Sequence, residues 1–226
     1  MLEIPVINVV GSRCKPEEEK KFNKWYNEVH IPMLLKFKNM LAVSRYKIIK
    51  ENPDYPTYLA IYQFLNKESY EAYRNRPDAA EVQADIKANW PDGLDISWRV
   101  QYEFMRSWTE ELPPAGRGSP VINFVGTRAK PEDDSRFNKW YDDIHIPGLL
   151  RTGKVREAIR YKTIKESKDY PFYLTIYYFD NQKAYDDYFK SPARLQAIKE
   201  MEASWPNNRF DITWRAQYKL IKSWKK

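Results

Sequence analysis

The hydrophobic positions in the first half of the chain predict four β-strands. Each of these segments is rich in β-branched or aromatic residues and is bounded by residues that favour turns. The predicted strands cover residues 5–12, 43–51, 57–64 and 95–108. In the last of them, large apolar residues occupy every second position, which is the period of a strand with one buried face.

Two helical segments separate these strands. The apolar residues after the first strand recur every three or four positions, which predicts an amphipathic helix. Pro32 disfavours helical geometry at Ile31, so we expect this helix to break or kink close to His30. The second helical segment covers residues 67–89 and is interrupted at Pro77. The resulting order, β-α-β-β-α-β, is that of a ferredoxin-like fold.

The second half of the chain repeats this pattern. Residues 22–32 (FNKWYNEVHIP) return as residues 137–147 (FNKWYDDIHIP), and further matches extend along both halves. The repeated unit has the size of one domain. We therefore predict a first ferredoxin-like repeat at residues 1–108, a linker at residues 109–119 and a second repeat at residues 120–226. The linker contains a Pro-Pro pair and two glycines, which favour an exposed, irregular segment.

The sheet of each repeat is expected to need a partner on the face that its helices leave open. Both sides of the first and third strands carry large residues, so this face is apolar and aromatic and must be buried. The two repeats could bury these faces against each other. The expected architecture is therefore α+β, with two ferredoxin-like repeats packed sheet to sheet as an intramolecular α/β barrel around a cavity.

The run Trp-Tyr-x-x-x-His-Ile-Pro, placed after a first strand in this order of elements, resembles the EthD-like branch of the dimeric α/β-barrel superfamily. Members of that superfamily usually dimerise through their open sheet faces. Here the resemblance covers about residues 3–108 and 118–224, which implies that one chain supplies both sheets. The superfamily includes cofactor-free monooxygenases, polyketide cyclases, lactone isomerases and haem enzymes, so the resemblance does not choose a reaction.

The composition is that of a globular protein, with 42% hydrophobic residues and a formal net charge of +7. Lysines are scattered among acidic residues, which predicts a solvated surface, with attraction of small anions as a second interpretation. No apolar stretch reaches the roughly 20 residues that span a bilayer, and the N-terminus lacks the features of a signal peptide. Cys14 is the single cysteine and allows no internal disulfide, which fits a reducing cytoplasm.

The two histidines are the leading candidates for chemistry. His30 and His145 are the only histidines in the chain and occupy the same place in the two repeats. Imidazole titrates near neutrality, so each could act as a general acid or base. The expected helix end would favour the protonated ring unless burial opposes it. The alternative is a structural histidine that holds the kink before Pro32.

The other candidates also occur in pairs, one in each repeat. Tyr26 and Tyr141 precede the histidines by one helical turn and could orient a substrate or relay a proton. Possible substrate-binding residues are polar or aromatic side chains of the strands and the first helix: Asn8, Asn123, Trp25, Trp140, Tyr58, Tyr62, Tyr173, Tyr177, Arg99 and Arg215. Each of them could instead be an ordinary core residue or, for the arginines, an exposed one. Arg45 and Arg160 carry the same ambiguity.

The sequence gives no sign of a bound cofactor. It contains no glycine-rich phosphate loop, and two histidines with one cysteine do not suit a structural zinc site. We therefore expect a cofactor-free enzyme that uses histidine acid/base chemistry on a hydrophobic, aromatic or polyketide-like substrate that can be anionic. Isomerisation, lyase or cyclase chemistry and oxygenation stay open. The alternatives are a non-catalytic binding protein and a haem enzyme with a histidine as axial ligand.

The partners and the location follow from the same features. We expect a small-molecule substrate and neither nucleic acid nor a membrane as a partner, because the third strand lacks the glycines of an RNA-recognition module. The chain would be cytoplasmic, as a monomeric pseudo-dimer or a larger homo-oligomer. Met33 and Phe37 are replaced by Gly148 and Thr152 in the second repeat, which predicts a larger pocket beside His145 than beside His30.

Overall fold

The computed structural model describes residues 5–108, 118–206 and 209–226, which form two compact units. The first unit contains residues 5–104, 118 and 220–226, and the second contains residues 105–108, 119–206 and 209–219. Most of the predicted linker, residues 109–117, lies outside the described residues. Within the described ranges, no helix has the length and apolar character needed to cross a membrane.

The first unit is built on an antiparallel sheet with the strand order β4-β1-β3-β2. Its elements in chain order are β1 (Val6–Arg13), a 3₁₀ turn (Pro16–Glu18), α1 (Glu19–Trp25), a π-helical turn (Tyr26–His30), α2 (Ile31–Leu35), β2 (Met40–Ile48), β3 (Tyr58–Phe64), α3 (Lys67–Arg74), α4 (Ala79–Asn89) and β4 (Asp95–Ser107). The last residues of the chain run beside β2, where the Lys226 N–H donates to the Leu41 carbonyl oxygen at 3.1 Å.

The second unit has the corresponding sheet, with the order β8-β5-β7-β6. Its elements are β5 (Val121–Ala129), a 3₁₀ turn (Pro131–Asp133), α5 (Asp134–Trp140), a π-helical turn (Tyr141–His145), α6 (Ile146–Leu150), β6 (Glu157–Thr163), β7 (Tyr173–Phe179), α7 (Gln182–Lys190), α8 (Pro192–Ser204) and β8 (Phe210–Lys225). The Trp108 N–H, just after β4, donates to the Ala158 carbonyl oxygen of β6 at 3.0 Å. The predicted α+β class is confirmed, whereas the packing of one sheet against the other stays a prediction.

The sequence predicted a break or a kink close to the histidine of the first helix. The helix does not break there, but a π-helical turn interrupts its α-helical pattern in each unit. Ile31 keeps right-handed helical geometry, with φ −62° and ψ −47°, and its N–H bonds to the Tyr26 carbonyl oxygen five residues back. Pro32 has no N–H and its ring crowds the carbonyl oxygen four residues earlier. A π-helical turn is wider than an α-helical one, so it accommodates the proline while the helix continues through His30.

A buried arginine fastens this first helix to the sheet. Arg160 of β6 has no exposed surface; its guanidinium donates to Asp142 at 2.5 Å and to Asn138 at 2.7 Å. Its central carbon lies 4.6 Å from the centre of the Tyr141 ring. Arg160 is therefore a core residue. A buried, hydrogen-bonded charge is costly to disrupt, so it fixes where the π-helical turn lies on the sheet.

The first unit has the same buried arginine without the carboxylate. Arg45 of β2 is 1% exposed and donates to the Asn27 side chain at 2.8 Å, where Arg160 has Asp142. Its central carbon lies 4.4 Å from the centre of the Tyr26 ring. Burial lowers the pKa of Arg45. Both arginines are thus held within the core, which decides the ambiguity that the sequence left open.

Two buried glycines of the second unit have different surroundings. Gly148 lies where α6 meets α8, and a Cβ built there would be 3.6 Å from the Ala197 Cβ, an ordinary contact. The first repeat has Met33 and Val82 at these two positions. Gly126 lies in β5, and a Cβ there would overlap the ring of Pro171, 2.6 Å from the proline Cβ. Of these two positions, only Gly126 in β5 requires a residue without a side chain.

Alanine at these two glycines should therefore change stability in opposite directions. Gly126→Ala should lower the free energy of unfolding by about 1–3 kcal/mol, because the added carbon overpacks a filled core. Gly148→Ala should raise it by about 0.5–1 kcal/mol, because alanine favours a helix more than glycine does. Chemical denaturation of the two variants and the wild type measures both effects. A Gly148→Ala variant less stable than Gly126→Ala would contradict this packing.

Candidate functional site

A cavity of about 280 Å³ lies in the second unit between its sheet and its helices. Its wall is formed by Asn123, Val125, Thr127, Tyr141, His145, Leu149, Tyr177, Tyr185, Tyr188, Phe189, Arg194, Ile198, Met201, Glu202, Phe210, Ile212 and Arg215. The sequence led us to expect a cavity between two sheets, whereas this cavity lies under the helices of a single unit. Gly148 and Thr152 are not part of its wall, so their small size does not create it.

The cavity lies on the face of β5 that the helices cover. Asn123, Val125 and Thr127 are two residues apart along β5, so their side chains share that face. The π-helical turn brings Tyr141 and His145 to the opposite wall. Three residues that the sequence singled out therefore line the same cavity: Asn123 of β5 and Tyr141 and His145 of the π-helical turn.

In the first unit, the corresponding asparagine is hydrogen-bonded within the protein, and the histidine lies near a carboxylate. The His30 Nδ1 is 3.6 Å from the Asp85 Oδ2, too far for a hydrogen bond, and this buried atom has no hydrogen-bond partner among the described residues. The Asn8 Oδ1 accepts a hydrogen bond from the Gln101 Nε2 at 2.8 Å. These contacts favour a structural role for both residues of the first unit.

Within the described part of the second unit, the asparagine lacks such a hydrogen bond, and the histidine Nδ1 is again unpaired. The Asn123 Oδ1, the Thr127 Oγ1 and the His145 Nδ1 are buried and have no hydrogen-bond partner among the described residues. All three residues line the cavity. Buried polar atoms are normally hydrogen-bonded, and an unpaired one costs about 1–3 kcal/mol. This part of the wall is therefore suited to bind a polar group of a ligand.

Burial keeps both imidazoles neutral. It lowers the pKa of His145 to about 3, and the positive charges of Arg215 and Arg160 act in the same direction. Burial also lowers the pKa of His30 to about 4, against the opposing effect of Asp85. A helix end was expected to favour the protonated ring unless burial opposed it. Burial does oppose it here, and the helix continues past both histidines, so desolvation lowers their pKa values.

A pair of phenols lies next to the neutral His145. The hydroxyl oxygens of Tyr141 and Tyr177 are 3.2 Å apart, and the Tyr141 ring centre is 5.1 Å from that of His145. Burial raises the pKa of Tyr177 well above its usual value. Tyr177 therefore keeps its proton at neutral pH and can donate a hydrogen bond. Tyr26 and Tyr62 form the equivalent pair in the first unit, with their oxygens 2.5 Å apart.

Several other predicted residues lie away from the cavity wall. The indole N–H groups of Trp25 and Trp140 donate to Asp85 at 3.1 Å and to Glu200 at 2.7 Å, respectively. Both indoles pack against the neighbouring histidine rings. The two indoles therefore pack beside the histidine rings and do not line the cavity.

Tyr58 and Tyr173 bind the start of the first helix in their respective units. The Tyr58 hydroxyl donates to Glu19, and the Tyr173 hydroxyl donates to Asp134 at 2.9 Å. Arg99 is exposed in the first unit. Of the predicted substrate-binding residues, Asn123, Tyr177 and Arg215 are the ones that the cavity wall contains.

Sequence reasoning missed Arg194 and Glu200. Arg194 of α8 lines the cavity, and Ala79 stands at its position in the first repeat. Glu200 receives the Trp140 N–H, and its Oε2 is buried without a hydrogen-bond partner among the described residues. Glu200 aligns with Asp85. Two signals in the sequence could have identified these residues. Both repeats have an acidic residue at the position of Glu200, and only the second repeat has an arginine at the position of Arg194.

Several solved structures have a fold similar to that of this chain. The structure is similar to that of a "putative monooxygenase" from Fusobacterium nucleatum, with a TM-score of 0.69, 11% identity, and coverage of 100% of this chain and 96% of the other. It is similar to an anthrone oxidase-like protein, with a TM-score of 0.62, 14% identity and coverage of 100% and 94%. A chlorite dismutase from Candidatus Nitrospira defluvii gives a TM-score of 0.61 at 8% identity, with coverage of 96% and 92%. At these identities the likeness shows the fold alone.

The sequence assigns the chain to a particular protein family. The chain belongs to the family described as "Domain of unknown function (DUF4286)", whose model matches residues 6–104 and 122–210. The model thus matches each half of the chain separately. No curated protein matches the sequence.

The two buried histidines predict a loss of stability in mild acid. The pKa of each histidine in the folded protein lies below the usual value of 6.5, so unfolding takes up protons as the pH falls below 6.5. The stability present above pH 6.5 is therefore lost as the pH falls toward 4 for His30 and toward 3 for His145. Each histidine should contribute a slope of up to about 1.4 kcal/mol per pH unit. Urea denaturation between pH 7.5 and 5.0 measures this slope.

The matched control for this effect is the double variant His30→Gln, His145→Gln. It should show a shallower dependence of the free energy of unfolding on pH, because glutamine does not titrate. Each single variant should remove part of the slope. A double variant with the slope of the wild type would show that other groups cause the acid effect.

Proposed function

We propose that the cavity of the second unit is the active site of a cofactor-free enzyme that acts on a hydrophobic, aromatic small molecule. The observation that carries this proposal is that the neutral His145 and the unpartnered oxygen of Asn123 line the same mostly apolar cavity. We also propose, from the shared Trp-Tyr-x-x-x-His-Ile-Pro run, that the chain is a member of the EthD-like branch. The enzyme assignment is supported by the oxygenase and oxidase names of the structural neighbours.

His145 acts as the general base in this proposal. A neutral imidazole accepts a proton, and the low pKa of His145 keeps it unprotonated at every physiological pH. A base with so low a pKa is weak, so the substrate anion that it forms must be stabilised. The positive charges of Arg215 and Arg160 that lower the pKa of His145 also favour an anion close to it.

Two groups of the wall are suited to stabilise the developing oxyanion. The Asn123 side chain has an amide N–H₂ as a donor, and the phenol pair of Tyr141 and Tyr177 has a proton to share. Preorganised donors of this kind are often the largest contribution to catalysis, because they cost no reorganisation during the reaction. The proposed substrate is therefore a carbon acid or phenol whose charge moves onto an oxygen.

Among the reactions open to such an anion, we propose oxygenation by dioxygen. His145 removes a proton from an acidic CH₂ group beside an aromatic ring, and the electron pair left on carbon forms a C–O bond with dioxygen. Transfer of a proton gives the hydroperoxide, which loses water to form a ketone. The sum is substrate plus dioxygen giving ketone plus water, so no external reductant is needed. Isomerase or lyase chemistry would share the first step, but the neighbours' names favour oxygenation.

Haem fits this cavity poorly. His145 could offer an axial nitrogen, but the volume of about 280 Å³ lies at or below the low end of the roughly 300–1,000 Å³ typical of pockets for drug-sized ligands. A haem is larger than such ligands, so the side chains as placed do not accommodate it. The proposed reaction therefore includes no haem step, and a visible spectrum of the purified protein without a Soret band is the expected result.

Substitution of the two histidines should separate their roles. With anthrone as the probe, His145→Ala should lower kcat for dioxygen uptake by roughly 10²–10⁴-fold, the usual contribution of a general base. His30→Ala should retain activity within a few-fold, because His30 is buried against Asp85 in the other unit. An oxygen electrode measures the rate. Anthrone binding without dioxygen uptake by the wild type would contradict the oxygenase and favour a binding protein.

The pH dependence of the wild-type enzyme gives a second test. An ordinary histidine base would lose activity as the pH falls through 6.5, whereas His145, with a pKa of about 3, should not. We expect kcat/KM to show no acid limb of this kind between pH 8.0 and 5.5, as long as circular dichroism shows a folded protein. An acid limb near pH 6.5 would mean that the base is not a buried histidine.

A further inference from the structure

Two arginines of different elements line the same cavity. Arg194 is in the first turn of α8, and Arg215 is in β8, where it pairs with Val125 of β5. Their charges act on the same groups, because both lower the pKa values of Tyr185 and Tyr188 against the larger opposing effect of burial. The two guanidinium groups thus create a positive region on one part of the cavity wall.

Arg194 is held in place without a carboxylate. Its Nη1 donates to the Phe189 carbonyl oxygen at 3.2 Å, and its central carbon lies 4.2 Å from the centre of the Phe189 ring. Its central carbon also lies 5.7 Å from the centre of the Tyr188 ring, and its guanidinium group donates a hydrogen bond to the Tyr188 side chain. A guanidinium group has five N–H donors, so most of those of Arg194 are left for a ligand. The contacts restrict its motion, which reduces the entropy lost on binding.

Glu202 is the one acidic residue in the wall. It is exposed, and two arginines with one glutamate leave the wall with a net positive charge. In the first repeat, Ala79 stands in place of Arg194, and Lys87 stands in place of Glu202. The pair of arginines is therefore a property of the unit in which His145 and Asn123 have unpartnered polar atoms.

We infer that the cavity takes an aromatic carboxylate, with its ring among the tyrosines of the wall and its carboxylate bound by Arg194 and Arg215. The planar fork of a guanidinium group matches the two oxygens of a carboxylate, and such charge-assisted bonds are the strong ones. The inference rests on the proposed function in that it names the substrate class of the same site. Tyr185 and Tyr188 supply the aromatic surfaces between α7 and the cavity.

A pair of isosteric probes tests the charge requirement. Calorimetric titration compares 2-naphthoate with 2-naphthamide, which has the same shape without the charge. We expect the carboxylate to bind at least about tenfold more tightly, in line with the net contribution of hydrogen bonds between charged groups. Raising the NaCl concentration should weaken binding of the carboxylate and leave binding of the amide unchanged.

Variants identify the arginines responsible. Arg194→Gln and Arg215→Gln should each weaken naphthoate binding by about tenfold or more without changing the affinity for the amide. The control is Arg136→Gln, which removes an arginine of α5 in the same unit that lies outside the cavity wall. Thermal midpoints confirm that the variants are folded. Equal affinities for the two probes, or unchanged binding in both cavity variants, would overturn the inference.

The outcome for the substrate class can be separated from that for catalysis. Arginine-dependent naphthoate binding by a protein that takes up no dioxygen with anthrone would uphold the carboxylate site and contradict the oxygenase. Oxidation of anthrone that depends on His145, together with equal binding of the two naphthalene probes, would do the reverse. Loss of naphthoate binding in Arg136→Gln to the same degree as in the cavity variants would show general surface attraction and overturn the inference.

Discussion

The arrangement of the site depends on one buried charge, the guanidinium group of Arg160. It joins β6 to the first helix through Asp142 and Asn138 and lies over the Tyr141 ring. Breaking a buried pair of this kind is strongly destabilising, because the remaining charge has no water to solvate it. The π-helical turn is therefore held at one place on the sheet, and this places His145 and Tyr141 in the cavity wall.

Desolvation then gives the two repeats different properties from nearly the same residues. In the first unit, Gln101 donates a hydrogen bond to Asn8, and Asp85 lies 3.6 Å from the unpaired His30 Nδ1. In the second, the equivalent polar atoms of His145 and Asn123 are buried without partners beside a cavity. A buried polar atom without a partner is costly, so such an arrangement is expected where a ligand supplies the missing bond. The second repeat is the one suited to bind, because Asn123 lacks the hydrogen bond that Asn8 has and lines a cavity.

The periodicity of the chain was sufficient to predict the order of the elements and the candidate pairs on them. The paired histidines, tyrosines and asparagines lie at spacings that place them on one helix face or one strand face. The contribution of α8 was missed, because Arg194 and Glu200 reach the site only when that helix packs on α6 through Gly148 and Ala197. For a related reason, the helix does not break at Pro32. Local rules penalise the proline, but a π-helical turn packed on the sheet absorbs it.

The sequence by itself determined the α+β class, the repeated order of strands and helices, and the identity of the residues able to transfer a proton. These depend on local periodicity and residue chemistry, which the sequence contains in full. The tertiary structure alone decided that His145 borders a cavity, which polar atoms of the described residues lack partners and which way the histidine pKa values shift. Those properties depend on burial and on interactions between residues distant in sequence, such as the hydrogen bond of Arg160 to Asp142 and the effect of the Arg215 charge on the His145 pKa.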